Sequence, residues 1–222
     1  MSGGKRIKFQ DSRMQLLVGW NADSPSDSVS AITKANPAVV TSTTHGRADG
    51  DVIRINAATG MTEVNGEPYV IDVQNANSYQ LLGANSTDYG TYTGGGRVDV
   101  AQFSTFCELT GWNRQGGSSP EIAATSQCSD VQEFEIGLPD FGSMQIDYNF
   151  APQVTVQQFL EDAYLAGDKI AYKLTFTPAA LSSIFLIGFG TIQQLSDSGS
   201  NGGLLTGSMT IRLTGRRYIF GV

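Results

Sequence analysis

From Ser143 to Phe150 the chain alternates without a break. Met144, Ile146, Tyr148 and Phe150 fall on one side, and Ser143, Gln145, Asp147 and Asn149 on the other. A period of two predicts a strand with one face in the core and one in water. The same pattern recurs at Gln15–Trp20, with Leu16, Val18 and Trp20 on one face, and at Ile170–Thr177, with Ile170, Tyr172, Leu174 and Phe176 alternating with Ala171, Lys173, Thr175 and Thr177. It recurs again at Phe103–Thr110, where Phe103, Thr105, Cys107 and Leu109 share a face. One segment has the helical period instead: Val156, Phe159, Leu160, Ala163 and Tyr164 form an apolar stripe. Thr155 and Gln158 have the spacing of a capping box and Gly167 can close the end, which predicts a helix over about Val156–Ala166 lying on a sheet.

Between Val29 and Arg97 the texture changes to short β runs, Asp51–Ile55, Tyr69–Val73 and Tyr79–Leu82, punctuated by Gly and Asn. That spacing predicts a small barrel. Asn21–Ser28 and Ser196–Gly203 read as loops. Gly111–Pro120 reads as a long, protruding connection, and Gly137–Gly142 as a turn bounded by Pro and Gly. Trp112 would either tuck onto its own domain or anchor a partner surface. Leu181–Leu195 is apolar, with Gly188 and Gly190 marking a bend or close packing. The fold class expected is mainly β, two packed antiparallel sheets with one α-helix, plus a small inserted β-barrel. The expected organisation is a core domain of residues 1–28 and 98–222, interrupted by the module at 29–97.

Composition agrees. The 222 residues are 40% hydrophobic and 16% charged, with 26 Gly, which suits a globular, turn-rich β protein. No apolar run approaches the ~18 residues of a spanning helix, and the basic, polar start lacks a signal-peptide core, so a soluble, unprocessed chain is expected. Cys107 and Cys128 could stand on two arms of one hairpin. With Leu109 opposite Ile122, however, Cys107 would face Ala124, and two reduced thiols are the expectation.

The net charge is −7, and residues 98–222 carry 12 acidic against 6 basic side chains. Few basic clusters are present to grip phosphates, so ordinary nucleic-acid binding is disfavoured. Residues 1–13 are the exception, with Lys5, Arg6, Lys8 and Arg13 against Asp11: either a frayed terminus or a contact to an acidic neighbour.

Candidate chemistry is scarce. His45, the only histidine, lies in THGRADGD near Asp49 and Asp51 but has no nucleophile and no metal-ligating partners at suitable spacing, so it reads as a turn-stabilising or exposed imidazole. GFG at 188–190 lacks the third glycine of a nucleotide loop, and Asp197 alone cannot make a calcium site. No catalytic residue, metal or cofactor is expected. What stands out is Glu121–Phe150, with six carboxylates and no Lys or Arg.

Two resemblances bear on these segments. The run NPAVVTSTTHGRADGDVIRI from Asn36, followed by Gly60, Met61, Val64, Asn65, Tyr69 and a later YTGGG, resembles the small β-barrel module related to the first catalytic cysteine half-domain of ubiquitin-activating enzymes. Modules of that type also occur within phage tail proteins. Residues 29–97 contain no Cys, so no activating chemistry is implied. Residues 98–222 resemble siphophage major tail tube proteins, through the strand at Phe103–Thr110, a Gly- and Ser-rich loop, EIAATSQCSDVQEFEIGLPDFG, the strand from Met144, the helix at Thr155 and a terminal TGSMTIRLTG.

The second resemblance implies a virion structural protein and no enzyme: hexameric rings stacked into a hollow, non-contractile tube through which the genome is ejected. Its implied partners are further copies of itself, a tape measure protein, and tail terminator or tail tip proteins. DNA would pass without specific binding, and no membrane is involved. The location would be the phage tail, with assembly in the host cytoplasm. The acidic charge fits, since an acidic lumen repels phosphates. Asp130, Glu133, Glu135, Asp140 and Asp147 are the lumen or subunit-interface candidates. Trp112, Arg114, Gly116 and Gly117 are the ring-stacking loop candidates, and the inserted barrel is expected to decorate the outside. The competing expectation is a host-surface or carbohydrate-binding tail module.

Overall fold

The computed structural model describes residues 8–22, 28–176 and 184–221. The start of the basic arm, most of the Asn21–Ser28 loop and the beginning of the Leu181 run lie outside the described residues. The protein is mainly β, with a large antiparallel sheet, a small two-stranded one and, among the described residues, a single α-helix. It divides into two compact units, Met1–Thr105 with Ala171–Ile187 and Tyr218–Val222, and Phe106–Ile170 with Gly188–Arg217.

In chain order the elements of the first unit are β1 (Ser12–Ala22), β2 (Val29–Ile32), β3 (Ala38–Ser42), β4 (Val52–Thr59), β5 (Pro68–Asn75), β6 (Ser78–Leu82) and β7 (Gly94–Thr105). The second unit adds β8 (Leu109–Gln115), β9 (Glu121–Ala123), β10 (Phe134–Ile136), β11 (Ser143–Asn149) and α1 (Thr155–Ala166). Three further strands, β12 (Lys169–Phe176), β13 (Ile184–Ser198) and β14 (Thr206–Phe220), have residues in both units.

The ladder of the first unit runs β2-β3-β6-β5-β4-β7-β1-β12. Its first six strands close on themselves as the expected small barrel. Ser28 bridges Arg97, the Tyr92 hydroxyl donates to the Val29 carbonyl at 2.7 Å, and Gly96 lies so close to Val29 that a Cβ there would stand 3.0 Å from the valine Cβ. Alternating positions on these short strands, with Met61 from the turn after β4, supply one continuous core that includes Val40, Ile53, Ile55, Ile71 and Tyr79. The barrel shares its unit with strands from the end of the chain. Phe185 and Phe220 stack at 5.3 Å over Gly50, and the Tyr218 hydroxyl donates to the Leu82 carbonyl at 2.9 Å. The expected module boundary at 97/98 falls within β7.

β1 departs from simple alternation. Met14 and Leu16 are buried, but so is Leu17, whereas Val18 and Trp20 are only half-buried. The cause is a register shift between Leu17 and Gly19 in the pairing with β7, where a bulge turns the following side chains to the other face. The expected strand 103–110 is also two elements. β7 ends at Thr105, residues 106–108 turn, and β8 begins at Leu109.

In the second unit the ladder is β13-β14-β11-β8. β11 behaves as its pattern predicts: Met144, Ile146 and Tyr148 are buried and Gln145 and Asp147 exposed. Close packing decides the glycine at 190, because a Cβ there would lie 2.4 Å from Ile211 and 2.5 Å from the Arg212 carbonyl. α1 ends in the expected left-handed Gly167, whose N–H reaches the carbonyls of Ala163 and Tyr164. The capping box is not formed. Val154 is the N-cap, and Gln158 donates instead to the Pro152 carbonyl at 3.1 Å. Gln157, not Gln158, is the buried amide: it accepts from the Ala151 N–H and donates to the Asn149 carbonyl. The expected loop at 196–203 is shorter, since β13 runs on to Ser198.

Candidate functional site

The acidic stretch forms an arm. β9 pairs with β10 in the register Ala123↔Phe134, Ile122↔Glu135 and Glu121↔Ile136. This corrects the expected pairing of Glu121–Thr125 back onto 103–110, because β8 pairs with β11 instead. Cys107 lies in the turn before β8 and Cys128 at the tip of the arm, and both thiols are free and exposed. The tip closes through small polar groups. The Ser126 N–H donates to the Ser129 hydroxyl, the Glu133 N–H to the Thr125 hydroxyl, and the Ser129 hydroxyl to the Glu133 carboxylate at 3.1 Å.

The base of the arm is clamped. Arg212 donates to Asp140 at 2.6 Å, Arg114 donates to the Phe141 carbonyl at 3.0 Å, and the Asp140 N–H donates to the Ser118 carbonyl at 2.8 Å. Gly117 permits this closure, since a Cβ on it would lie 2.0 Å from the Asp140 carbonyl. The Gly142 N–H on its carboxylate, and then Arg212, hold Asp140 below the usual aspartate range. A clamp at the base positions an arm that buries little of itself. Ile122, Val131, Phe134, Ile136 and Leu138 are between 54% and 90% exposed. These large apolar side chains are gathered, exposed, on one element, unlike the scattered single ones of an ordinary surface.

The five carboxylates do not converge. Asp130, Glu133 and Glu135 are exposed on the arm, Asp140 anchors its base, and Asp147 is exposed on β11, accepting from Gln145 at 3.2 Å. Of the stacking-loop candidates, Trp112 and Arg114 are strand residues in β8, with Trp112 opposite Ile146, and the connection itself is only 116–120. β8 is the last strand of its ladder, and no strand pairs with its outer edge among the described residues. Sequence reasoning missed the exposed side chains Ile136 and Leu138 and the partner Arg212. Alternation in EFEIGL is a readable signal for a strand, but it does not say that both faces are wet.

His45 is buried, with Nε2 2.9 Å from the Asn75 carbonyl and Nδ1 accepting the Arg47 N–H at 3.1 Å, edge-on to Tyr79. It holds a turn. Asp49 and Asp51 likewise accept backbone N–H groups of Val73 and Ala48. An ionic cluster gathers around the buried Asp99. Asp99 accepts from Arg54 at 2.8 Å and from Asn56 at 2.7 Å, with Arg97 3.2 Å away and Arg54 lying over the Trp20 ring. Its members are held by one another, which suits a structural role. Among the described residues no group of three or more His, Cys, Asp or Glu side chains is placed to hold a metal, and no helix is long and apolar enough to cross a membrane.

Residues 35–102 match the family model of the FCCH domain of ubiquitin-activating enzyme E1. The match falls on the closed barrel. None of the curated protein sequences matches the chain. Among solved structures, the chain is similar to the tail of an empty gene transfer agent particle refined with C6 symmetry, at 15% identity and TM-score 0.42, covering 54% of this chain and 87% of that one. It is similar to the SPP1 tail tube, at 19% identity and TM-score 0.42, covering 55% and 69%. It is also similar to a chain of the anti-feeding prophage baseplate, at 6% identity and TM-score 0.39, covering 79% and 95%.

Proposed function

We propose that this chain is a structural subunit of a phage tail tube, six copies forming a ring and rings stacking into a hollow, non-contractile conduit for DNA. The observation that carries the reading is the pairing of two unsatisfied features in one unit. β8 leaves a row of backbone donors and acceptors open, and the clamped arm projects apolar side chains into solvent. Open edges and exposed apolar patches are hazards that soluble proteins cover, and copies of the same chain can cover both. Edge pairing joins neighbours within a ring, and the arm, with Gly116 and Gly117 at its root, reaches the next ring.

The acidic balance supports the conduit. Six copies would carry six times the −7 of one chain, and a negative wall keeps phosphates from adhering. Asp147, exposed on β11, is the proposed lumen residue. Asp130, Glu133 and Glu135 are proposed at the contact between subunits. The barrel of residues 29–97 is proposed as an outer decoration, because filling the channel would block it. Tape measure and tail-end proteins are the partners this role requires, the virion is its location, and no catalysis is asked of the chain. Negative-stain microscopy of concentrated protein tests the reading: rings or tubes are expected, and strictly monomeric particles across salt and concentration would remove it.

A further inference from the structure

A groove of about 240 Å³ lies beside α1 in the second unit. Tyr148, Phe150, Leu160 and Leu195 supply its apolar lining, and Glu161 and Asp162 are its exposed carboxylates. The helix period places Leu165, 79% exposed, on the same face as Gln158, Glu161 and Asp162. Leu204 and Leu205 are exposed as well, and the Leu205 carbonyl accepts the Phe150 N–H at 2.9 Å. Burial, with the carboxylates of Asp197 and Glu161 adding to it, pushes the Tyr148 hydroxyl up to about 12. The site is therefore apolar inside and negative outside. No Lys or Arg is among the residues that line it.

The chemistry selects the occupant. The β9–β10 arm is apolar enough, but Glu121, Glu133 and Glu135 would meet Glu161 and Asp162 as like charges. The segment Lys5-Arg6-Ile7-Lys8-Phe9 has the opposite sign and brings apolar side chains between its cations. Phe9, next to the exposed Lys8, is 49% exposed. We propose that the groove beside α1 receives residues 5–9 of a second copy of this chain, with Lys5, Arg6 and Lys8 against Glu161 and Asp162 and Ile7 in the cavity. The inference rests on the assembly reading in one respect, that the chain meets copies of itself. It adds a directional contact, from the basic arm of one copy to the helix of another, which repeats from subunit to subunit without closing on a pair.

Two measurements test it. The first uses a fluorescent peptide of residues 1–13 titrated into the full chain carrying Lys5→Glu, Arg6→Glu and Lys8→Glu, so that its own arm does not compete. Saturable binding is expected, weakened at least about tenfold by Glu161→Lys with Asp162→Lys and weakened by added salt. Should that receptor fold poorly, Glu161→Gln with Asp162→Gln is expected to give a smaller loss in the same direction. Absent binding, or binding indifferent to both pairs, overturns the proposal.

The second measurement mixes two full-length chains on a Cys107→Ser, Cys128→Ser background, one with Lys5→Cys and one with Asp162→Cys. A disulfide-linked dimer enriched in the mixture over either chain alone is expected. No enrichment overturns the assignment to a second copy. Tubes from a chain that fails both tests would sink the groove and leave the tube reading standing, and positive tests without rings or tubes would do the reverse.

Discussion

Asp140 shows how one side chain can decide where a whole arm points. Its carboxylate takes the Gly142 N–H at 2.9 Å and Arg212 at 2.6 Å, while its own N–H reaches Ser118. A carboxyl whose folded pKa is depressed stabilises the clamp above its unfolded value of about 4 and loses that contribution as pH falls through the lower folded value. The protection of amides against exchange across residues 116–142, measured relative to the intrinsic rate at each pH, is therefore expected to be constant from pH 8 to 5 and to fall below about pH 4. Asp140→Asn, which keeps the shape and removes the charge, is expected to loosen the arm at neutral pH. An unchanged exchange pattern in that variant would mean the clamp does not depend on the ion pair. Gly50 is the second decisive position. Its φ is +81°, and a Cβ would stand 2.5 Å from Phe185. Gly50→Ala should cost about 1–3 kcal/mol through overpacking and backbone strain, read as a lower denaturant midpoint with an unchanged slope.

At the scale of elements, α1 illustrates the difference between a motif and a bond. The spacing of Thr155 and Gln158 predicts reciprocal capping, yet the helix begins one residue earlier than a Thr155 cap would allow. Thr155→Ala is accordingly expected to leave stability within about 0.5 kcal/mol. Gly167 sits at φ 71° with open space around it, so Gly167→Ala is expected to cost about 1 kcal/mol from conformation alone. Thermal melts of the two variants side by side check the contrast, and an equal loss in both would contradict the observed cap. β11 was legible because one of its faces is core and the other wet, and β12 in the buried set Ile170, Tyr172 and Leu174, although Ala171 on its opposite face is buried too. β1 was not, because its bulge depends on the strand it pairs with. The 106–108 turn was hidden for a related reason: Phe106 is buried at 2% exposure, so the apolar pattern continues through a place where the backbone reverses.

For the whole molecule, the proposed assembly makes the arm the element that would distinguish a folded subunit from an assembling one. Replacing residues 121–136 by a short Gly-Ser linker removes four of its five exposed apolar side chains, Ile122, Val131, Phe134 and Ile136, and touches no buried residue. Such a chain is expected to keep its far-ultraviolet spectrum and melting cooperativity while losing rings or tubes under the microscope. Tubes that form as before would place the contact elsewhere, with the open edge of β8 the next surface to block.

The chain by itself determined the β class, a small barrel near residues 29–97, the buried face of β11, the helix and its glycine stop, because each follows from local periodicity or from a backbone conformation that only glycine tolerates cheaply. It also determined the acidic balance, which is a sum over residues and needs no fold. Tertiary structure alone decided which strands pair, and so moved Trp112 and Arg114 from a loop into β8 and turned Glu121–Ala123 toward Phe134–Ile136. It alone brought Arg212 to Asp140, 72 residues away, and Arg54, Asn56 and Arg97 to Asp99. The physical reason is the same throughout: periodicity reports which side of an element is apolar, whereas partner, register and exposure are set by surfaces that meet only after the chain has folded.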